Sequence, residues 1–146
     1  MSDIEYLKMA INYSKQSLEE GNFPAGAVVV RNHKIVSHAK NTRYPNLFHP
    51  DAKATIEAFE KLGLLANSTL YISLQSCLMC SAIAYQAGIR RIVFAVPISK
   101  VTNDYYLTED DSKVVELYKE RIEMIQLEEF ESEVLEIIHI WEKKQK

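Results

Sequence analysis

The sequence predicts an α/β domain, in which one mixed sheet carries helices on both faces. Two patterns predict it: a β-hairpin in the first third of the chain, and a strand–helix–strand succession in the middle. The chain has 146 residues, 47% of them hydrophobic and 25% charged, which is ordinary for a globular protein with one core. We therefore expect residues 1–146 to form a single domain.

The N-terminal quarter predicts a helix followed by a hairpin. Ser2 and Glu5 have capping-box spacing, and apolar residues then recur on one helical face, which predicts a helix over residues 3–20. Two β-rich runs follow, AGAVVVRN and KIVSHAK, separated by the polar pair Asn32-His33. Such runs around a short polar break are typical of a β-hairpin.

A polar loop and a second helix come next. Residues 41–50 are polar and contain two prolines, so they are predicted as a loop. Asp51 is a candidate cap for a short helix over 52–62, which Gly63 would end.

The middle of the chain predicts a parallel crossover. A strand over 69–74, a helix over 77–87 and a strand over 91–96 follow one another closely, which favours a right-handed connection and parallel pairing. The remaining predictions are a helix over 110–120, a strand over 122–127 and an amphipathic helix over 131–143.

Charge and composition exclude several function classes. A net charge of −3 gives no general attraction for phosphate backbones, so no nucleic-acid partner is predicted. No apolar run is long enough to cross a membrane, and the N-terminus lacks the pattern of a signal peptide. With only two cysteines, three residues apart, a disulfide framework is ruled out and the cytoplasm is the expected compartment.

The two cysteines form a Cys77-Leu-Met-Cys80 motif between a predicted strand and helix. Two thiolates in a first helical turn can bind one tetrahedral metal ion, and the positive helix N-terminus favours their ionised form. This supplies only half of a zinc site. The alternatives are two cysteines packed as small apolar residues, or a thiol–disulfide pair.

Several segments resemble the cytidine and deoxycytidylate deaminase superfamily, particularly its guanine-deaminase-like and tRNA-adenosine-deaminase-like branch. The segments are NFPAGAVVV, KIVSHAKN, HPDAKATIEAF, LYISLQSCLMCSAI and the tail SEVLEIIHIWEKK. The resemblance implies a three-layer α/β/α domain with a mixed five-stranded sheet. It also implies a zinc-dependent hydrolase, in which a histidine and two cysteines bind the metal and a glutamate carries protons.

An ungapped alignment of HPDAKATIEAF with the family motif assigns the site residues. In that register Lys53 occupies the position of the metal-binding histidine, and Thr55 that of the catalytic glutamate. A protonated lysine has no lone pair for zinc, and a threonine hydroxyl does not titrate near neutral pH. Asn41 occupies the position of an asparagine that helps hold the substrate base, and Ala25 that of a phenylalanine, which leaves room in the base pocket.

A second assignment of the motif stays open. His49-Pro50-Asp51 has the spacing of a histidine followed by an acidic residue, and a rearranged loop could bring His49 to the cysteines. His49 would then be the third metal ligand, and Asp51 the proton carrier. The simpler role for Asp51 is a helix cap.

Three functions follow from these alternatives. The first is a deaminase-fold protein with impaired catalysis and doubtful zinc binding, which binds a nucleobase or nucleoside or serves as a subunit of a homodimer or heterodimer. The second is an active zinc-dependent deaminase of the guanine or cytosine type with a remodelled site. The third is a thiol–disulfide protein. The pair Tyr105-Tyr106, in a predicted loop, either covers a ligand or packs internally.

Overall fold

The computed structural model describes residues 2–42, 47–101, 116 and 118–145. These residues form a five-stranded mixed sheet and four α-helices, which confirms the predicted α/β class. The elements are α1 (Asp3–Glu19), β1 (Gly26–Arg31), β2 (Lys34–Lys40), α2 (Pro50–Leu62), β3 (Ser68–Leu74), α3 (Leu78–Ala87), β4 (Arg91–Val96), β5 (Glu123–Gln126) and α4 (Glu131–Lys144).

The strand order is β2-β1-β3-β4-β5. β1 pairs antiparallel with β2 and β3, whereas β3, β4 and β5 are parallel to one another. The predicted hairpin and crossover are both confirmed. Asn32 and His33 form the hairpin turn with φ values of 53° and 59°, the left-handed backbone that a two-residue hairpin loop requires.

Two apolar clusters lie on opposite faces of the sheet. α1 and α4 pack on one face, where Trp141 meets Phe23 edge-on at 5.0 Å between ring centroids. Residues of α2 and α3 pack on the other face, around Leu70, Ile89 and Ile92. The chain is therefore a three-layer α/β/α domain, as the sequence resemblance implied.

Helix α1 is held close to β1. The Ser2 side chain accepts a hydrogen bond from the Glu5 amide and caps the helix, as predicted. Gly26 opens β1 directly beneath α1, where an added Cβ would lie 2.2 Å from the Ala10 carbonyl oxygen. Only glycine permits this approach.

The start of α2 differs from the prediction. The helix begins at Pro50, two residues earlier than predicted, and its N-cap is His49 rather than Asp51. Proline at the first helical position has a suitable φ and needs no hydrogen-bond acceptor for its nitrogen, so it favours the earlier start. Asp51 consequently lies in the first turn, where it is buried.

Two predictions concern residues outside the described part of the chain. The pair Tyr105-Tyr106 lies outside it entirely, and so does most of the helix predicted over 110–120. Among the described helices, none combines the length and apolar character needed to cross a membrane.

Candidate metal and proton-transfer site

The N-termini of α2 and α3 meet at the carboxyl end of β3. Cys77 is the N-cap of α3, and its carbonyl oxygen accepts a hydrogen bond from the Ser81 amide. His49 is the N-cap of α2, and its carbonyl accepts one from the Lys53 amide. The positive ends of two helix dipoles therefore point toward one place, which favours thiolates over thiols there.

One imidazole and two sulfurs converge at this place. The Nδ1 atom of His49 lies 3.5 Å from Cys77 Sγ and 3.4 Å from Cys80 Sγ. All three potential ligand atoms lie within 4.8 Å of one another. Both cysteines are buried, and both are free of disulfides.

The three groups fit a zinc ion. Ligands at the usual Zn–S and Zn–N distances of a tetrahedral site lie about 3.5–3.8 Å from one another, which agrees with the two sulfur–nitrogen distances. Two cysteines and one histidine are also a known ligand set for catalytic zinc, in which the fourth position is left to water or substrate. The donor chemistry therefore suits zinc better than a harder ion such as Mg²⁺.

Contacts within the site shift the pKa values of the two cysteine thiols in opposite directions. A hydrogen bond from Cys80 and a further contact with His49 lower the pKa of Cys77 to about 4. The pKa of Cys80 is raised instead, because Cys80 donates that hydrogen bond and is buried. The lowered pKa of Cys77 favours the thiolate, which is the form in which a cysteine binds a metal ion.

Asp51 lies beside the sulfurs. It is 4% exposed, and its Oδ1 accepts a hydrogen bond from the Ala52 amide. Burial raises its pKa, as does the negative charge on Cys77, whereas contacts with the Cys80 and Ser76 side chains act in the opposite direction. The carboxyl group of Asp51 is in contact with Cys80, one of the prospective ligands.

Lys53 and Thr55 are arranged differently. The Lys53 ammonium forms no hydrogen bond or ion pair within the described part of the chain, and the side chain is half-buried. Thr55 is fully buried, and its hydroxyl has no hydrogen-bond partner among the described residues. The imidazole that the structure brings to the two sulfurs is that of His49.

Asn41 and Ala25 lie near α1, where the Ser17 hydroxyl donates to the carbonyl oxygens of both residues. The side-chain amide of Asn41 donates to the Phe23 carbonyl, and its backbone amide donates to the Ala25 carbonyl. Ala25 is buried in the apolar cluster beneath α1 and α4. Asn41 therefore fastens the segment that precedes β1.

A further residue near the cysteines was not singled out as functional from the sequence. Gln75 accepts a hydrogen bond from the Ile98 amide at 2.9 Å, and Ile98 packs against Cys77 and Cys80. The two partners are 23 residues apart in sequence. No local spacing pattern could have revealed the pair.

Comparison with known proteins decides the family. Residues 1–96 match the family model of the cytidine and deoxycytidylate deaminase zinc-binding region. The chain belongs to this family. That match includes His49 and both cysteines, and it confirms the resemblance inferred from the sequence segments.

The family's relatives act on different bases. The chain is 34% identical over 94 residues to a tRNA-specific adenosine deaminase of Bacillus subtilis, an alignment that covers 61% of this chain and 58% of the relative. It is 32% identical over 97 residues to a probable cytosine deaminase of Schizosaccharomyces pombe, covering 64% and 60%. The chain thus spans about three fifths of the length of these relatives.

Solved structures show the same fold. A structure from a study of tRNA A34 deaminases superposes with a TM-score of 0.76 at 23% identity, covering 92% of this chain and 99% of that one. Guanine deaminase from Bacillus subtilis gives a TM-score of 0.62 at 22% identity, covering 75% and 85%. This deaminase-family chain therefore has the fold of these solved structures.

Proposed function

We propose that this chain is a zinc-dependent hydrolase that removes an exocyclic amino group from a nucleobase or nucleoside. The observation that carries the proposal is the convergence of His49 Nδ1 on the sulfurs of Cys77 and Cys80. The reaction replaces an amino group by a carbonyl oxygen, consuming water and releasing ammonia.

The proposed ligands are His49, Cys77 and Cys80. A zinc ion bound there supplies a water molecule whose pKa is lowered enough to give a nucleophile near neutral pH. The chain's own contribution is to bury the two cysteines and to hold the half-buried imidazole at the start of α2. The positions assigned to Lys53 and Thr55 by the ungapped alignment take no part in this proposal.

Asp51 is the proposed proton carrier. Its carboxylate lies two residues after His49, the spacing of the family's histidine and glutamate, and it contacts the Cys80 side chain. A carboxylate there can accept a proton from the attacking water at one Oδ atom and deliver it to a ring nitrogen. It can then take a second proton, from the newly added hydroxyl, and deliver that one to the leaving amine. Aspartate is one methylene shorter than glutamate, so the substrate must approach the helix more closely.

The substrate class is a free base or nucleoside carrying an amino group. The net charge of −3 disfavours a long nucleic-acid ligand. We place the protein in a reducing compartment, the cytoplasm, because a disulfide between Cys77 and Cys80 would remove two ligands.

The experiment measures ammonia release and product mass from cytosine, guanine, adenine and their nucleosides. The full 146-residue chain is prepared without chelators and assayed against a chelator-treated sample. We expect turnover of at least one substrate, lost on zinc removal and restored by zinc. Absence of turnover in zinc-loaded, folded protein contradicts the proposal.

Variants of Asp51 test the proton carrier. D51N should retain zinc and lose about 10²–10⁴-fold in kcat, the usual contribution of general acid–base catalysis. The matched control is E60Q, which removes an exposed carboxylate from the same helix and should leave kcat unchanged. Equal activities of D51N and the unmodified chain would show that another group moves the proton.

A second candidate is a zinc-binding subunit without deaminase activity, which binds a base or partners another chain. The observation that favours it is the engagement of Asp51 with Ala52, Cys80 and Ser76, which turns a short carboxylate toward the protein. It predicts stoichiometric zinc and nucleobase binding with no turnover, and recovery of turnover in D51E. Oligomeric state, measured by light scattering, then identifies a homodimer or a chain awaiting a different partner.

A further inference from the structure

We propose that Gln75 is a positioning residue that keeps Ile98 packed over the two cysteines. The proposal rests on the proposed metal-holding function of that pair. It assigns Gln75 no contact with substrate or metal.

The hydrogen-bond acceptor that Gln75 supplies is needed because of Pro97. β4 ends at Val96, and the next residue, Pro97, has no N–H to continue the β-ladder. Ile98 then carries a backbone N–H although the residue is only 5% exposed. A buried N–H without an acceptor is costly, so a partner outside the strand is required.

Gln75, the residue that follows β3, supplies that partner. Its backbone amide donates to the Val96 carbonyl at 2.8 Å, and its side-chain Oε1 accepts from the Ile98 amide at 2.9 Å. The two bonds span Pro97. The side chain thus continues the β3–β4 pairing beyond the end of β4, where a backbone carbonyl cannot.

The residue held in this way covers the cysteines. Ile98 packs in a small apolar cluster with Ala52, Cys77 and Cys80. It also opens a single 3₁₀ turn, Ile98–Lys100, whose far end is tied to α4 by the Lys100–Glu131 ion pair at 3.2 Å. That exposed pair is a weak tie, so the part-buried bond to Gln75 determines where Ile98 lies.

The consequence is control of access to the sulfurs. With Ile98 in place, the two sulfurs are shielded from water and reagents on the side that Ile98 covers. A zinc ion bound there would be shielded from competing ligands on the same side. Without the bond, the turn can move away from the cysteines while β3, β4 and α3 stay folded. Gln75 therefore acts on metal retention through Ile98.

The test compares three variants of the 146-residue chain with a control. Q75M keeps the side-chain length and lacks the acceptor, whereas Q75E keeps an acceptor. I98A leaves the backbone amide in place and removes the cover. The matched control is Q16M, a substitution of an exposed glutamine on α1.

Amide exchange and thiol labelling are measured on metal-free, reduced protein. In Q75M the Ile98 amide should exchange about tenfold faster, because its N–H, on a buried residue, loses its acceptor. Cys77 should be labelled faster by a similar factor. Q75E and Q16M should match the unmodified chain in both measurements. I98A should label faster while its residue-98 amide stays protected. Thermal stability alone would not separate these patterns.

Three outcomes would overturn the proposal: unchanged exchange and labelling in Q75M, failure of Q75E to restore both, or unchanged labelling in I98A. Unchanged labelling in I98A would overturn the proposal even if Q75M does not fold. In zinc-loaded protein, Q75M should also lose metal to a chelator about tenfold faster. If the unmodified chain takes up no zinc, the proposed function fails, yet exchange and labelling still decide the role of Gln75.

Discussion

His49 and Lys53 are separated by four residues, and so are Asp51 and Thr55. That offset is close to one turn of an α-helix, so a shift of one turn leaves the same positions facing the core. Asp51 and Thr55 are both buried on α2, as are Ala54 and Ala58. The shift breaks the ungapped matches at Pro50, Ala52, Ala54 and Ala58, so the sequence favours the register with Lys53. The contacts of His49 with the two sulfurs favour the other register.

The choice between them can be measured through metal retention. H49A should lose stoichiometric zinc, because two cysteines alone bind zinc far more weakly than three ligands. K53M, of similar length and in the same turn of α2, should retain it. Elemental analysis of both variants provides the test, and zinc loss in K53M with retention in H49A would reverse the assignment.

Helix α1 is joined to the sheet by a polar cluster as well as by its apolar face. The Arg91 guanidinium makes two hydrogen bonds to the Asp3 carboxylate, at 2.9 and 2.6 Å, and the Tyr71 hydroxyl donates to the same carboxylate at 2.6 Å. The bond with Arg91 holds the pKa of Asp3 below its ordinary value of 3.8. The first turn of α1 is thus fixed to β3 and β4.

This cluster should make stability depend on pH in acid. Because the pKa of Asp3 is lowered by folding, its contribution is complete above about pH 4 and disappears as the pH falls through the folded-state value. At pH 7, D3N should therefore have a Tm about 4 °C lower than the unmodified chain. The reason is that D3N removes a partly exposed ion pair worth about 1 kcal/mol. The difference should shrink below pH 4.

Thermal unfolding of D3N and E5Q from pH 2.5 to 7 checks this prediction. E5Q removes an exposed carboxylate from the same helical turn, so it reports the helix-dipole effect alone. A D3N deficit that persists undiminished at pH 2.5, or that E5Q reproduces in full, would contradict the role given to Arg91 and Tyr71.

Local patterns predicted most elements. The two misses are the start of α2, where a cap was misinterpreted, and Gln75, whose contact is non-local. Glycines and alternating apolar residues gave the ends of α2 and α3 and the hairpin, because turn geometry and periodicity are written in neighbouring residues. The start of α2 was placed too late because Asp51 was interpreted as a cap. Gln75 had no signal, since its partner Ile98 is near only through the β3–β4 pairing.

The candidate site joins segments that are distant in sequence. His49 precedes α2, and the cysteines begin α3, which the sheet brings together through β3. A metal that binds only this folded arrangement stabilises the whole domain, by about 2.7 kcal/mol at a free concentration 100 times its Kd. The proposed zinc binding is therefore the property on which the candidate site and the proposed reaction both depend.

X-ray absorption at the zinc edge of the 146-residue chain, loaded with one equivalent of zinc, tests that property most directly. The account predicts two sulfur ligands at about 2.3 Å and one nitrogen at about 2.0 Å, with the outer-shell scattering of an imidazole ring. A chain that takes up no zinc, or a zinc shell of two sulfurs without an imidazole, would contradict it.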